Sequence, residues 1–185
     1  MPITETKTRY TVKDYMLLEE AAPFQLINYD LIMSPAPAHL HQTILIRLTQ
    51  SITNYLDKTN NIGYLLIAPA DIFLNEGNVF QPDLIFVSEE KRKFIINGRI
   101  EFAPDLAVEI LSPSTAYYDL KHKKSMYERF GVKEYVIIDP LEANAEIYRL
   151  TDEAFMLKET INMEDNLTLE TITGFSVPFK DLFKQ

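Results

Sequence analysis

The sequence predicts an α/β fold, a sandwich of helices on a mixed central sheet, from three observations. Residues 81–87 and 104–111 are short runs, apolar on both alternating faces and rich in Val, Ile, Leu and Phe, as strands covered on both sides are. The central elements read helix, three strands, helix, strand, an order that layers helices against one sheet. With 185 residues, 46% of them hydrophobic and 24% charged, the chain suits one domain around a substantial core.

A short helix over 11–20 opens with Thr11-Val12-Lys13-Asp14 and ends before Pro23. Residues 24–33 read as a hairpin around Asn28-Tyr29-Asp30, and Ser34-Pro35-Ala36-Pro37 breaks the chain. A long amphipathic helix follows, with Ile44, Leu45, Leu48, Ile52, Tyr55 and Leu56 at three- and four-residue spacing. Strands are expected at about 63–74, 79–87 and 104–111, the first two joined as a hairpin by Asn75-Glu76-Gly77-Asn78. Ser112-Pro113-Ser114-Thr115 offers N-cap oxygens to a helix at 116–130, and Gly131 suits its C-cap. Glu134-Tyr135-Val136-Ile137-Ile138 is a fourth strand, closed by Asp139-Pro140. Residues 144–150, 154–160 and 167–172 read as a peripheral β meander, with a short helix near 179–184. The core thus spans about 36–140, between an N-terminal helix and hairpin at 10–33 and a C-terminal β extension at 144–184.

The absence of cysteine excludes disulfides and thiolate metal sites, and a cytoplasmic location suits such a chain. No apolar signal core is visible at the N-terminus, and no stretch approaches the roughly 20 apolar residues that cross a bilayer. A net charge of −9 argues against indiscriminate binding to polyanions. The charge is uneven, however: residues 91–133 hold nine of the 18 Lys and Arg but only five of the 27 acids, +4 against −13 elsewhere. An acidic body with a local basic face still admits a phosphate; an ordinary scatter of surface charge is the other reading.

Two acids stand inside the apolar runs, Asp83 after Pro82 and Glu109 late in 104–111. A buried carboxylate costs several kcal/mol unless a cation meets it. If the two strands are antiparallel neighbours, the start of one lies beside the end of the other and the carboxylates meet at one sheet edge. A divalent cation would resolve their repulsion, and oxygen donors without thiolate favour Mg²⁺ or Mn²⁺. Alternatively, Asp83 caps a strand and Glu109 pairs with a lysine; Asp105, also after a proline, reads as a strand-start residue. On the helix 116–130, Lys123 shares the apolar stripe of Leu120, Tyr127 and Phe130, where it would face Glu109 or a phosphate. Snorkelling from the stripe's edge is the alternative for Lys123. Lys124 could exchange roles with it, Lys121 reads as solvated, and Asp119 could orient Lys123 or add helix-pair stability. His39 and His41 flank the start of the long helix, where a titratable group or an ordinary surface residue could sit. No GxSxG, P-loop or HExxH pattern is present.

Several of these motifs together resemble the Uma2 family, whose members are described as endonucleases of the PD-(D/E)XK superfamily. They are Gln81-Pro82-Asp83, Ala103-Pro104-Asp105-Leu106-Ala107-Val108-Glu109-Ile110-Leu111-Ser112-Pro113-Ser114-Thr115, the series Asp119, Lys123, Tyr127, and Gly131-Val132-Lys133-Glu134-Tyr135 with Asp139-Pro140. The likeness runs from about residue 10 to 184. It implies a restriction-endonuclease-like core, with Asp83 and Glu109 as the motif's acids and metal ligands. The motif's lysine would fall at Leu111, and in this family it resembles one that has moved to the next helix, at Lys123. The family's His-Gln pair matches His41-Gln42. One departure stands out: Gln25 occupies the place of a family Glu, and Asn28-Tyr29 that of an Asp-Gly turn. A neutral amide supplies no charge to a metal.

The expected activity is Mg²⁺-dependent hydrolysis of phosphodiester bonds in nucleic acid, DNA in the first instance. Asp83 and Glu109 would hold the metal, Lys123 would orient the bound water or meet the developing charge, and Tyr127 would pack behind it or, alternatively, contact phosphate. A homodimer would suit a two-stranded substrate. A nuclease-fold binding or regulatory protein with a degraded site, and a metal-dependent hydrolase of small phosphate esters, are the alternatives.

Overall fold

The computed structural model describes residues 9–19, 22–34, 36–59, 63–96, 99–112, 118–152 and 154–184, apart from the side chains of residues 118 and 119. The expected N-cap at Ser114 and Thr115 lies outside the described residues.

A helical turn, α1 (Val12–Tyr15), precedes the hairpin β1 (Phe24–Ile27) and β2 (Asp30–Met33). The expected 11–20 helix is therefore one turn long, closed at Thr11 by a capping box with Asp14. The long helix α2 (His39–Thr59) follows, then β3 (Gly63–Ile67), β4 (Ile72–Asn75), β5 (Asn78–Phe80) and β6 (Leu84–Ser88). The strands expected at 63–74 and 79–87 are thus each broken in two. Proline has no amide hydrogen for a ladder, and the breaks fall at Ala68-Pro69 and Gln81-Pro82. At these corners both chains leave one sheet and enter another.

Six strands form the central sheet in the order β10-β9-β8-β7-β6-β3, where β7 is Leu106–Ile110, β8 Glu134–Asp139, β9 Asn144–Thr151 and β10 Ala154–Asn162. Among the described residues of this sheet, only β7 and β8 are parallel. The remaining halves, β4 and β5, join the N-terminal hairpin in a four-stranded sheet, β2-β1-β5-β4. The C-terminal region is not wholly peripheral: β9 and β10 extend the central sheet, because β9 alternates buried Ala145 and Ile147 and pairs along all of β8. Only β11 (Asn166–Leu169) and β12 (Phe175–Pro178) stand apart as a two-stranded ribbon before a 3₁₀ turn, Phe179–Phe183.

Each face of the central sheet has its own apolar cluster. Ile44, Leu48 and Ile52 of α2 pack on Leu84, Phe86, Leu106, Val108 and Ile110. The odd-numbered residues Ile85, Ala107 and Ile137 turn to the other face, against Tyr127 and Tyr135. A short helix, α3 (Glu89–Arg92), leads out of β6. The crossover from β7 to β8 runs through a π-helical stretch, Tyr118–Lys123, into α4 (Lys124–Phe130). As expected, Gly131 closes α4 in the left-handed conformation, with φ of 83°.

Candidate active site

The β6–β7 ladder brings the two acids to one place. Leu84 pairs with Val108 and Ile85 with Ala107, so continuing the register by one residue sets Asp83 across from Glu109. Asp83 lies in the corner after Pro82, where a ladder bond would otherwise be lost. Its carboxylate supplies the missing acceptor: Oδ2 takes the Ile110 amide at 2.7 Å, and Oδ1 lies 3.1 Å from His41 Nε2. His41 is buried in the first turn of α2, whereas His39 is exposed.

Glu109, late in β7, is 2% exposed and meets two donors through one oxygen. Lys123 Nζ lies 2.9 Å and the Tyr127 hydroxyl 3.0 Å from its Oε1. Lys123 is itself buried, so the pair is a desolvated salt bridge rather than a snorkelling side chain. Leu120, expected on the same stripe, is 42% exposed. The π-helical stretch explains this: with i→i+5 hydrogen bonds, three residues fall further short of a full turn than in an α-helix. Leu120 is rotated off the face that Lys123 occupies. Tyr127 is fully buried, its ring edge-on to Phe80 and Tyr135 at 5.6 and 5.1 Å, so it holds Glu109 from behind.

Lys124 does not share the role of Lys123. Its ammonium sits 3.4 Å from the centre of the Tyr148 ring, and burial lowers its pKa against the pull of Glu146 and Glu128. Lys121 is exposed, and the Asp119 side chain lies outside the described residues. Gln25, 6% exposed in β1, has both polar ends engaged. Its Oε1 accepts the Gln81 amide at 2.8 Å and its Nε2 donates to Ser34 Oγ at 3.0 Å. Gln25 therefore fastens the corner that carries Asp83, two residues further on.

Asp105 is a strand-start residue, as read from its proline. It accepts the Ser88 amide at 2.8 Å and pairs with Lys133 at 2.8 Å and Lys91 at 3.2 Å. Burial pushes its pKa up, but the bonds from Lys133 and Ser88 and the charge of Lys91 outweigh burial and hold it at about 2. Sequence reasoning missed a second polar group at the same corner, where Asp71 Oδ1 accepts from the Tyr15 hydroxyl and from Gln81 Nε2, each at 2.9 Å. The only signal for it was Gln81 itself, inside the quoted Gln81-Pro82-Asp83 motif. Among the described residues, no three His, Cys, Asp or Glu side chains cluster as a closed metal cage.

The Uma2 family model, described as "Putative restriction endonuclease", matches residues 12–180. The crystal structure of a putative nuclease belonging to DUF820 from Anabaena variabilis is similar in fold, with a TM-score of 0.77 at 20% identity over 94% of this chain and 97% of that one. No curated protein matches the chain. Among the described residues, no helix is long and apolar enough to cross a membrane. The family match spans both acid-bearing strands, the π-helical lysine and the α2 histidine, over nearly the full length: the chain belongs to the Uma2 family and has the restriction-endonuclease-like fold.

Proposed function

We propose that the protein is a Mg²⁺- or Mn²⁺-dependent endonuclease acting on nucleic acid, with DNA the first substrate to test. The observation that carries this reading is the buried Glu109–Lys123–Tyr127 group across the ladder from Asp83 and His41. The donor set fits such an ion, because magnesium keeps several waters and needs only one or two protein carboxylates, here Asp83 and Glu109. When bound, the ion would neutralise phosphoryl charge and acidify a water. The chain's own residues do the rest. The Ile110 amide and His41 fix the Asp83 carboxylate, and Gln25 fixes the corner before it. Tyr127 and Glu109 hold Lys123 in place as a preformed cation for charge developing on phosphorus. Two copies, each with one such centre, would match the two strands of a duplex.

A binding protein without hydrolytic activity is the second reading, favoured by Gln25 in place of an acid and by a Glu109 charge that Lys123 already balances. Incubation of plasmid, single-stranded oligonucleotide and small phosphodiesters with Mg²⁺ or Mn²⁺ separates these readings. The proposal expects internal cleavage of the polymers that EDTA abolishes. Tight binding of uncut polymer would establish the second reading, and turnover of small esters alone would indicate a different hydrolase.

A further inference from the structure

The central sheet ends in β10 on one side and β3 on the other, and the two edges are built differently. An open edge presents unpaired N–H and C=O groups to any strand that reaches it, and folded proteins interrupt such edges with charges, prolines or bulges. At β10 the pairing with β9 slips between Leu157 and Glu159, and Lys158 and Glu159 bring charge. In the smaller sheet, β2 opens with the exposed Asp30, and the β4 edge is covered by Ile100, which bridges Ile72 and accepts the Phe73 amide. The edge strand β3 has none of these devices. Gly63-Tyr64-Leu65-Leu66-Ile67 carries no charge and no proline, and its register with β6 is unbroken. Among the described residues no strand lies on its far side, and none of the five is buried, Ile67 being 45% and Tyr64 38% exposed.

The direction in which each backbone group of β3 points follows from its register. The Ala68 amide donates to the Asp83 carbonyl, in the same register that pairs Gly63 with Ser88. In an antiparallel ladder, residues bonded to the neighbour alternate with residues whose N–H and C=O turn away. Counting back from Ala68, Leu66 and Tyr64 bond to β6, whereas Ile67, Leu65 and Gly63 turn their groups to the open side. This outward set is symmetric about Leu65. A second β3 laid antiparallel, with Leu65 facing Leu65, therefore satisfies every outward group of both strands.

The side chains agree with that register. Tyr64 meets Leu66 of the second copy, and Gly63 meets Ile67. No like charges are opposed, which matters for two chains that each carry a net charge of −9. Gly63 has no room for a side chain, because the Phe86 ring fills the place of its Cβ, and Ile67 of the second copy brings bulk to the position that lacks it. We propose that β3 is the edge through which two copies of this chain pair, antiparallel about Leu65, so that their central sheets become one. The two-fold axis stands across the sheet, so both Asp83–Glu109 centres open on the same face. Asp83 lies one strand in from β3 and three residues along from Leu65, which sets the two Asp83 residues roughly 25 Å apart at about 3.3 Å per residue and about 4.8 Å per strand. Service of the two centres on one duplex rests on the nuclease reading; the pairing of the edges does not.

The test uses the whole chain without metal or nucleic acid. A five-residue edge is small beside ordinary dimer interfaces, so a dissociation constant on the order of tens of micromolar is expected. Sedimentation over about tenfold either side of that value should show monomer passing into dimer. Amide hydrogen exchange, read residue by residue, should slow at least about fivefold at Gly63, Leu65 and Ile67 once dimer predominates, while Tyr64 and Leu66 are protected at every concentration. Ile67→Pro removes an amide hydrogen that already points outward, so it should keep the fold and abolish the dimer. Ile67→Lys, at an exposed side chain, should weaken association at least about tenfold with the backbone intact. Leu157→Lys, on the β10 edge, should leave it unchanged. A chain that stays monomeric throughout, a dimer without the alternating exchange pattern, or a loss with Leu157→Lys equal to that with Ile67→Lys would overturn the proposal. None of these readouts involves cleavage, so the dimer edge and the nuclease reading can fail independently.

Discussion

The parallel pair β7–β8 carries buried acids at both ends, and the two ends treat them differently. At the N-terminal end, Glu134 is fully buried and accepts from the amides of Glu170 and Thr171, the Thr171 hydroxyl and Arg149, while Asp105 takes the Ser88 amide and two lysines. Several of those donors are backbone groups of the loops that the acids fasten down. At the C-terminal end, Glu109 accepts from the side chains of Lys123 and Tyr127, and Asp83 shares its carboxylate between one amide and His41. An acid tied to backbone amides is a fixed part of the scaffold. On the proposed nuclease reading, an acid tied to a lysine and lying beside a histidine-bound acid holds charge that a substrate would redistribute. In open α/β sheets the carboxyl ends of parallel strands are also where ligands bind.

The largest effect should come from breaking the Glu109 pair. Glu109→Gln removes the carboxylate 2.9 Å from the buried Lys123 ammonium, and stability in metal-free buffer should fall by about 3 kcal/mol. Lys123→Met should fall similarly. The double variant should recover much of the loss, a coupling that urea unfolding of all four proteins would reveal. Additive losses would show that the pair is not coupled.

A smaller effect concerns Asp105. Its folded pKa of about 2 lies below the ordinary 3.8, so its stabilisation is complete above about pH 4 and fades as pH falls through 2. The difference amounts to roughly 2 kcal/mol. Asp105→Asn should lose about that much at pH 7 and show a correspondingly flatter acid-unfolding profile between pH 4 and 2. Parallel profiles for the two proteins would place the acid sensitivity elsewhere.

The smallest effect should be at the β1–β2 turn, where Asn28 and Tyr29 both have positive φ, 52° and 69°. Such a two-residue turn prefers glycine at its second position, and a left-handed side chain costs roughly 1–2 kcal/mol. Tyr29 recovers part of this by lying under Arg9, whose guanidinium is 3.9 Å from the ring centre. Tyr29→Gly should therefore change the melting temperature by only a few degrees and leave cleavage untouched. A large loss would mean that the Arg9 contact outweighs the strain.

Much of this was legible in the sequence because buried strands and misplaced charges announce themselves. Glu109 after Leu106-Ala107-Val108 stood out as a charge in an apolar run, and the spacing of Lys123 and Tyr127 made Glu109 one of two anions that Lys123 could meet, the other being a phosphate. The proline before Asp105 did not by itself separate it from Asp83, which also follows one. The broken strands were not read: 63–74 and 79–87 are apolar on both sides of a short stretch with Pro69 and Asp71, or Gln81, Pro82 and Asp83, and the sheet-to-sheet corner shows that these stretches divide them. The exposure of Leu120 was also hidden, since a π-helical stretch leaves the composition of a helix unchanged while shifting its faces. Asp71 was invisible for a third reason. It has no motif of its own, and its partners Tyr15 and Gln81 are 56 and 10 residues away.

The contrast between the two ends of β7–β8 is tested most directly by one measurement, the initial rate of Mg²⁺-dependent plasmid cleavage per folded molecule. Wild type is compared with Glu109→Gln and Glu134→Gln, the folded fraction of each being fixed by circular dichroism. Both variants lose a buried carboxylate, so both are destabilised. Glu109→Gln should lose cleavage by at least about a hundredfold, whereas Glu134→Gln should cleave at the wild-type rate once corrected for folding. Equal losses in the two variants, or undiminished cleavage by Glu109→Gln, would contradict the division of the sheet into a structural end and a chemical one.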